Sequence, residues 1–206
     1  MTGTRDDSHR GVHRPAGLGR RPLRADAQAN LHRVLAAARQ AIGEIGLQAS
    51  YHDIARLAEV GVGTVYRRFP DRQRLLEAVL LYILEELDGL ATDALAASDP
   101  WAGFCVFFAA LAHRFRDNVG LSESLDDHGG ERVAGARRRL LDHIGQLTQR
   151  AQREGTLRPD VSSPDILALV ASLPRGERCA LDIPVTPAVI DRCVMVMLDG
   201  LVDRFR

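Results

Sequence analysis

The 206-residue chain carries 27 arginines, no lysine and 27 acidic residues, with 46% apolar but only 5% aromatic content. Zero net formal charge excludes a protein that coats nucleic acid by bulk charge, and the apolar share excludes a disordered chain. Three cysteines, Cys105, Cys179 and Cys193, sit in apolar runs without a CxxC spacing, which argues against a disulfide framework or a zinc cluster and fits a reducing cytosol.

The charge is unevenly placed. Residues 1 to 78 hold 13 arginines against 8 acids, and the rest hold 14 against 19, so a basic N-terminal third joins an acidic remainder. Such a dipolar chain suits a first part that meets a polyanion. Residues 1–23 form a basic arm rich in Gly, Pro and His, expected to be flexible and lacking the apolar core of a secretory leader. The longest uncharged apolar run, Trp101 to Ala112, falls short of the roughly 20 residues that cross a bilayer. A cytoplasmic protein without a membrane partner is expected.

From Arg24 to Gly46, Leu31, Val34, Leu35, Ala38, Ile42 and Ile45 recur at three- and four-residue steps, predicting an amphipathic helix ended by glycine. Ser50 then precedes Tyr51, His52 and Asp53, an S-x-x-D capping arrangement that starts a short second helix carrying Ile54, Leu57 and Ala58 inward. Val62, Val65, Tyr66 and Phe69 mark a third short helix, ended by Pro70. Asp71 can cap a long fourth helix through Leu75, Leu76, Val79, Leu80, Ile83, Leu87 and Leu90. Asp99-Pro100, Ser163-Pro164 and Thr186-Pro187 each pair a capping residue with a proline suited to the first helical turn. Between them, Gly130 to Glu154 shows Leu140, Leu141, Ile144, Leu147 and Ala151 on one face and is closed by Gly155. No long alternating pattern occurs, so the class is all-α.

Two short helices joined by a tight turn after a longer one describe a helix-turn-helix, whose second helix lies in the major groove. Such a helix needs small residues near phosphate, hydroxyls for base edges and cations outside. Gly61, Gly63, Thr64, Tyr66, Arg67 and Arg68 supply all three within eight residues. The competing structural reading is a helical hairpin with a solvated arginine face.

The runs Ile54-Ala55-Arg56, Val60-Gly61-Val62-Gly63-Thr64-Val65-Tyr66-Arg67-Arg68-Phe69-Pro70-Asp71-Arg72 and Leu75-Leu76 closely resemble the DNA-binding domain of TetR-family transcriptional regulators. The resemblance covers roughly residues 25 to 80. It implies a three-helix DNA-binding domain over residues 24–70, and a larger helical ligand-binding and dimerisation domain over 71–206. It maps Gly63, Thr64, Tyr66 and Arg68 onto the recognition helix that faces DNA, Ser50 and Tyr51 onto the phosphate-facing start of the second helix, and Arg72 onto the basic residue that starts the fourth; Arg24, Val62 and Arg67 are further candidates for DNA contact. Glu59 stands where the family usually has glycine in the turn; a left-handed backbone there would be strained, so a slightly recast turn is expected.

In the C-terminal part the resemblance rests on Leu157-Arg158-Pro159-Asp160-Val161 and Leu198-Asp199-Gly200-Leu201. The apolar stripe of the last helix is either core or a dimer face; the resemblance favours a dimer interface at Ile190, Val194, Met197 and Leu201, shared with Asp165 to Leu173. Five of the ten aromatic residues fall between Trp101 and Phe115. Core packing is the default reading for Trp101, Phe104, Phe107, Phe108 and Phe115, while the resemblance favours a ligand pocket lined by Trp101, Phe104, Phe108 and Phe115, with His113 and Arg116 as polar contacts.

Asp126, Asp127, His128 and Glu131 are near enough to ligate a metal, but Gly129-Gly130 beside them reads as a charged turn, and His9 and His13 read as solvated. No nucleophile, base and orienting acid group together. The expected function is a ligand-responsive homodimeric repressor of an inverted-repeat operator, released by a small apolar ligand, without cofactor, metal or catalysis. The alternative is an all-α enzyme or carrier for an apolar small molecule.

Overall fold

The computed structural model describes residues 21–124, 130–174 and 183–204, and its regular structure there is helical. In chain order the elements are α1 (Arg21–Ile45), α2 (Tyr51–Leu57), α3 (Val62–Arg68), α4 (Arg72–Ala96), α5 (Pro100–Ser124), α6 (Glu131–Glu154), α7 (Ser163–Ala171) and α8 (Pro187–Leu201). The all-α class read from the periodicity is the architecture found.

Two starts differ from expectation. Helix α1 begins at Arg21 rather than Arg24, with Pro22 in its first turn, where a missing N–H costs nothing. At α7 the cap is Ser162, not Ser163: its amide donates to the Asp165 carboxylate at 2.8 Å, a reciprocal capping box that leaves Pro164 in the first turn. The other ends obey the sequence signals. The Asp71 carboxylate accepts from the Arg74 amide at 2.8 Å, and Gly155 closes α6 in a left-handed conformation at φ 76°.

Helices α1, α2 and α3 pack on one another through Val34, Ala38, Ile42, Ile54, Ala55, Val65 and Phe69, all buried. Helix α4 leaves this head and runs into the body, where its buried Val79, Leu80, Ile83, Leu84 and Leu87 meet α5 and α6. Its apolar residues occupy more than one side because helices flank it on more than one side.

Helix α5 comes close to the end of α4 at Gly103. A Cβ there would lie 2.6 Å from the Ala94 carbonyl oxygen, so glycine is what lets the α4–α5 corner close. The guanidinium of Arg150 on α6 reaches across to cap α4, donating to the carbonyls of Ala94, Leu95 and Ala97. The two C-terminal stretches carrying the weaker resemblance are tied together: Leu157 bridges Val202, with Arg158 donating to Leu201 O at 3.0 Å and Asp203 to Thr156 O at 2.9 Å.

Among the described residues no helix is long and apolar enough to cross a membrane, and no three His, Cys, Asp or Glu gather to hold a metal ion. Asp126, Asp127, His128, Cys179, His9 and His13 lie outside the described residues.

Candidate functional site

The turn between α2 and α3 determines how the second short helix is presented. Glu59 has φ 54°, the one non-glycine residue in the left-handed region among those described. The Val60 amide donates to Ala55 O at 3.0 Å and the Glu59 amide to Arg56 O at 3.3 Å, the bond pair that ends a helix when its following residue turns left-handed. The expected recasting does not occur. Glutamate instead accepts the conformation that glycine would adopt without strain.

Helix α3 presents a small, mixed surface. Val65 is fully buried and pins the helix, while Tyr66 (51% exposed), Arg67 and Arg68 stand outward. A side chain at Gly61 or Gly63 would meet nothing within 4 Å, so the backbone there is open to close approach. Thr64 is partly exposed, and its Oγ1 accepts from Arg67 Nη2 at 3.3 Å. Together with Ala27, Asn30, Leu31 and Val34 of α1, Thr64, Arg67 and Arg68 line a groove of about 250 Å³.

The start of α2 and the start of α4 adjoin this surface. Ser50 caps α2, accepting from the Asp53 amide at 3.2 Å, while the Ser50 amide and hydroxyl donate to the Asp53 carboxylate at 3.0 and 2.6 Å. These bonds to Ser50 hold the Asp53 carboxyl below its ordinary pKa. Tyr51 is turned inward rather than out to phosphate. It is 8% exposed, stacks obliquely on Tyr66 at 4.6 Å, and burial above all raises its phenol pKa. Arg72 is partly engaged, since its Nη2 donates to Leu47 O at 2.8 Å and ties α4 to the loop before α2. Arg24 lies in the first turns of α1, and its side chain is outside the described residues.

An apolar cavity of about 220 Å³ lies in the body. It is lined by Leu80, Ile83, Leu84 and Leu87 of α4, Leu111, Arg114, Phe115 and Asn118 of α5, Arg137, Leu140, Leu141 and Ile144 of α6, and Leu167 of α7. Of the expected aromatic lining, only Phe115 is there. Phe104 and Phe108 are 1% and 0% exposed and form, with Trp101, a stacked row at 5.5 and 6.0 Å within the core. They lie on the buried face of α5, within about three turns before Leu111, the first cavity residue of that helix, while Ala102 and Val106 on its other side are exposed.

The expected polar contacts are likewise displaced. His113 Nε2 faces Asp191 of α8 at 3.2 Å, and Arg116 Nε donates to Pro174 O at 3.2 Å. Of the polar residues at the cavity, Arg114, Asn118 and Arg137, the first two share the α5 face of Leu111 and Phe115. Their signal was that spacing, i and i+4 along an otherwise apolar stripe.

Arg114 also joins the two parts of the chain. Its Nη2 donates to Glu86 of α4 at 2.7 Å, and the other oxygen of Glu86 accepts from Arg39 of α1 at 3.3 Å. A polar cleft of about 680 Å³ lies beside this bridge, bounded by α1, Leu57 to Glu59, and Arg114, Asp117 and Asn118.

On α8, Ile190, Val194 and Leu201 are 0%, 4% and 4% exposed within one protomer, so these three of the four expected interface residues have already spent their surface on its own core. Only Met197 stays partly open. The outward apolar residues are Val196 (70% exposed) and Met195 (56%). At 100° per residue, Val189, Cys193, Val196, Met197 and Gly200 fall in one sector of about 100° beside α7. Met197 and Gly200 line a shared groove there with Ala168 and Leu169.

The fold and the α2–turn–α3 surface define a helix-turn-helix DNA-binding protein whose head is carried on a helical body. The chain belongs to the TetR family of transcriptional regulators: residues 34–79 match the bacterial regulatory proteins of the tetR family, and residues 99–203 match the C-terminal domain of SbtR-like transcriptional regulators. A TetR regulatory protein from Mycobacterium vanbaalenii is 35% identical, with 88% of this chain and 99% of that one covered and a TM-score of 0.67. A TetR transcriptional regulator from Streptomyces coelicolor is 28% identical over 84% of this chain and 98% of that one, at TM-score 0.68. The HTH-type transcriptional regulator YhgD of Bacillus subtilis is 24% identical over 149 residues, 66% of this chain and 75% of its own.

Proposed function

We propose that the protein is a homodimeric repressor that sets α3 of each protomer into the major groove of an inverted-repeat operator and lets go when a small apolar ligand fills the cavity among α4, α5 and α6. The observation that carries the DNA half is α3 itself. Val65 anchors it, the backbone at Gly61 and Gly63 is uncovered, and Tyr66, Arg67 and Arg68 project from it. In this reading Thr64 and Tyr66 read bases, Arg67 and Arg68 reach bases or phosphates, and Ser50 and Arg72 meet phosphates. Tyr51 contributes by supporting Tyr66 from beneath.

Dimerisation through α7 and α8 rests on the outward sector of Val189, Cys193, Val196 and Met197, together with Leu169, rather than on the buried stripe. A two-fold pair built this way should hold its α3 helices about 34–36 Å apart, one turn of B-DNA. The apolar lining of the cavity supports the ligand, and Glu86 supports the coupling. Roughly four turns along α4 from the head, Glu86 holds Arg39 of α1 and Arg114 of the cavity wall at once. A ligand that favours one placement of Arg114 thereby biases α1, and coupling on the usual scale of about 1–3 kcal/mol would change operator affinity roughly 5- to 150-fold. The carrier or enzyme reading needed His113 in the cavity; its pairing with Asp191 gives that reading no support.

The test is operator selection from genomic fragments followed by titration at several salt concentrations. Each phosphate contact removed by alanine at Arg67, Arg68 or Arg72 should reduce the log-log salt slope by about one unit. Wild-type operator binding by the triple alanine variant refutes the assignment.

A further inference from the structure

Helix α3 has seven residues and one fully buried side chain, Val65, with Phe69 buried one turn further on the same side. Tyr66 stands about 100° round the helix from Val65 and is 51% exposed, so the core leaves its ring undirected. On a helix an exposed aromatic side chain has two open χ1 wells, which present its ring in two places. What chooses between them is Tyr51. The two ring centroids are 4.6 Å apart with planes inclined at 58°, at the near end of the range in which aromatic pairs attract. Tyr51 itself is fixed: it is 8% exposed, opens α2 directly after the Ser50 cap, and feels the charges of Arg72 and Asp71, which puts its ring where the starts of α2 and α4 meet α3. Its phenol oxygen is buried without a hydrogen-bond partner among the described residues. The oxygen therefore holds nothing in place, and the ring is what this position uses.

We infer that Tyr51 is a positioning residue for operator specificity: its buried ring holds the exposed ring of Tyr66 in one orientation before DNA arrives, so the base preference of α3 at Tyr66 depends on a side chain that does not itself touch DNA. This deepens the repressor reading above and rests on its DNA half. A leucine at position 51 fills much of the same space and presents no ring for Tyr66 to lean on. A freed Tyr66 meets several base pairs equally well, and discrimination, which is a difference of affinities, falls even where total affinity does not. The attraction of an aromatic pair beyond its buried area corresponds to about a 2- to 13-fold preference for the held orientation, which sets the size of the loss.

The experiment selects operators from genomic fragments with the full-length protein and compares wild type, Tyr51→Phe, Tyr51→Leu, Tyr66→Ala and the double variant Tyr51→Leu/Tyr66→Ala at matched salt. Tyr66→Ala marks the operator positions that Tyr66 reads. Tyr51→Leu should reduce discrimination at those positions about 2- to 13-fold, leave it intact at the others and keep the salt dependence. Tyr51→Phe keeps the ring and loses the oxygen, so it should retain the wild-type pattern. In the Tyr66→Ala background Tyr51→Leu should change the pattern no further, since nothing is left for it to position. NMR of the free wild-type protein should show the Tyr66 ring protons shifted by the Tyr51 ring and cross-relaxing with it, and the shift should vanish in Tyr51→Leu. The wild-type spectrum needs no variant, and if Tyr51→Leu fails to fold, Tyr51→Met, whose flexible chain fills irregular space, takes its place.

A Tyr51→Phe variant that loses about tenfold or more on every sequence means that the phenol reaches a phosphate, and overturns the inference. So does a Tyr66→Ala variant with unchanged preferences, or a folded Tyr51→Leu variant that discriminates as wild type at the Tyr66 positions. Preferences that shift equally where Tyr66 does not read, or that shift again in the double variant, assign Tyr51 a purely structural role and overturn it as well. A wild-type spectrum without contact between the two rings does the same. Each of these outcomes leaves operator binding in place and refutes this inference alone. A wild-type protein that selects no operator refutes the DNA reading, and this inference falls with it.

Discussion

Replacing Glu59 by glycine should stabilise the protein, although it removes a side chain and adds backbone freedom. Glu59 sits at φ 54°, and the two amide bonds that close α2 hold it there. A left-handed conformation costs a residue with a Cβ about 1–2 kcal/mol. Glycine relieves that strain but loses about 0.4–1 kcal/mol through the larger entropy of its unfolded chain. Nothing else is given up, because Glu59 is exposed and its side chain holds no partner among the described residues.

The net gain is about 0.5–1 kcal/mol, or about 1–4 °C in Tm for a chain of this length. Urea unfolding of Glu59→Gly, Glu59→Gln and Glu59→Ala measures it. Glutamine removes the charge and keeps the strain, so it and alanine should show no comparable gain. Operator affinity of Glu59→Gly at matched salt should remain within about threefold, since the turn already has the shape glycine would take. A glycine variant no more stable than the glutamine variant would refute the claim that strain is stored in this turn.

Gly103→Ala should cost about 1–3 kcal/mol in urea unfolding, because its Cβ would meet the Ala94 carbonyl oxygen at 2.6 Å and helix backbone cannot yield as a side chain can. Val196→Glu should give a folded monomer by light scattering and circular dichroism, whereas Val194→Glu, at a position 4% exposed, should fail to fold; a folded monomeric Val194→Glu would return the interface to the buried stripe. The Asp53 carboxyl should titrate below the ordinary carboxylate range by NMR and rise part of the way in Ser50→Ala, which removes the hydroxyl bond and keeps the backbone amide bond. Because its pKa is lowered on folding, the cap of α2 is fully present at neutral pH and is lost only as the pH falls through that depressed value.

Much of the molecule is local and was legible as such. Helix starts at Asp71, Pro100 and Pro187, the stop at Gly155 and the capping box of Ser50 and Asp53 depend on residues within a few positions of one another. At Ser50, Asp71 and Asp99 the cap side chain accepts from an amide three residues on, while Thr186 starts α8 by its extended backbone and Pro187 without a side-chain bond. The helix-turn-helix is short and contiguous for the same reason; the departure at Glu59 was visible in the motif, but that glutamate keeps the left-handed turn instead of recasting it was not.

Faces and voids were decided only by tertiary structure. Periodicity puts Ile190, Val194 and Leu201 on one stripe, but which neighbour covers that stripe depends on how α8 docks, and it is this protomer's own body that covers it. The aromatic run at Trp101 to Phe115 reads by itself as core and, by the resemblance, as pocket lining; the difference is where three other helices leave a gap, and they leave it at Phe115 and not at Phe104 or Phe108. Likewise, nothing near Arg39, Glu86 or Arg114 in the sequence marks them as a bridge. Packing brings the three helices together and places one carboxylate between two guanidinium groups, because contacts between residues far apart in the chain are set by the sum of many packing choices rather than by any one local pattern.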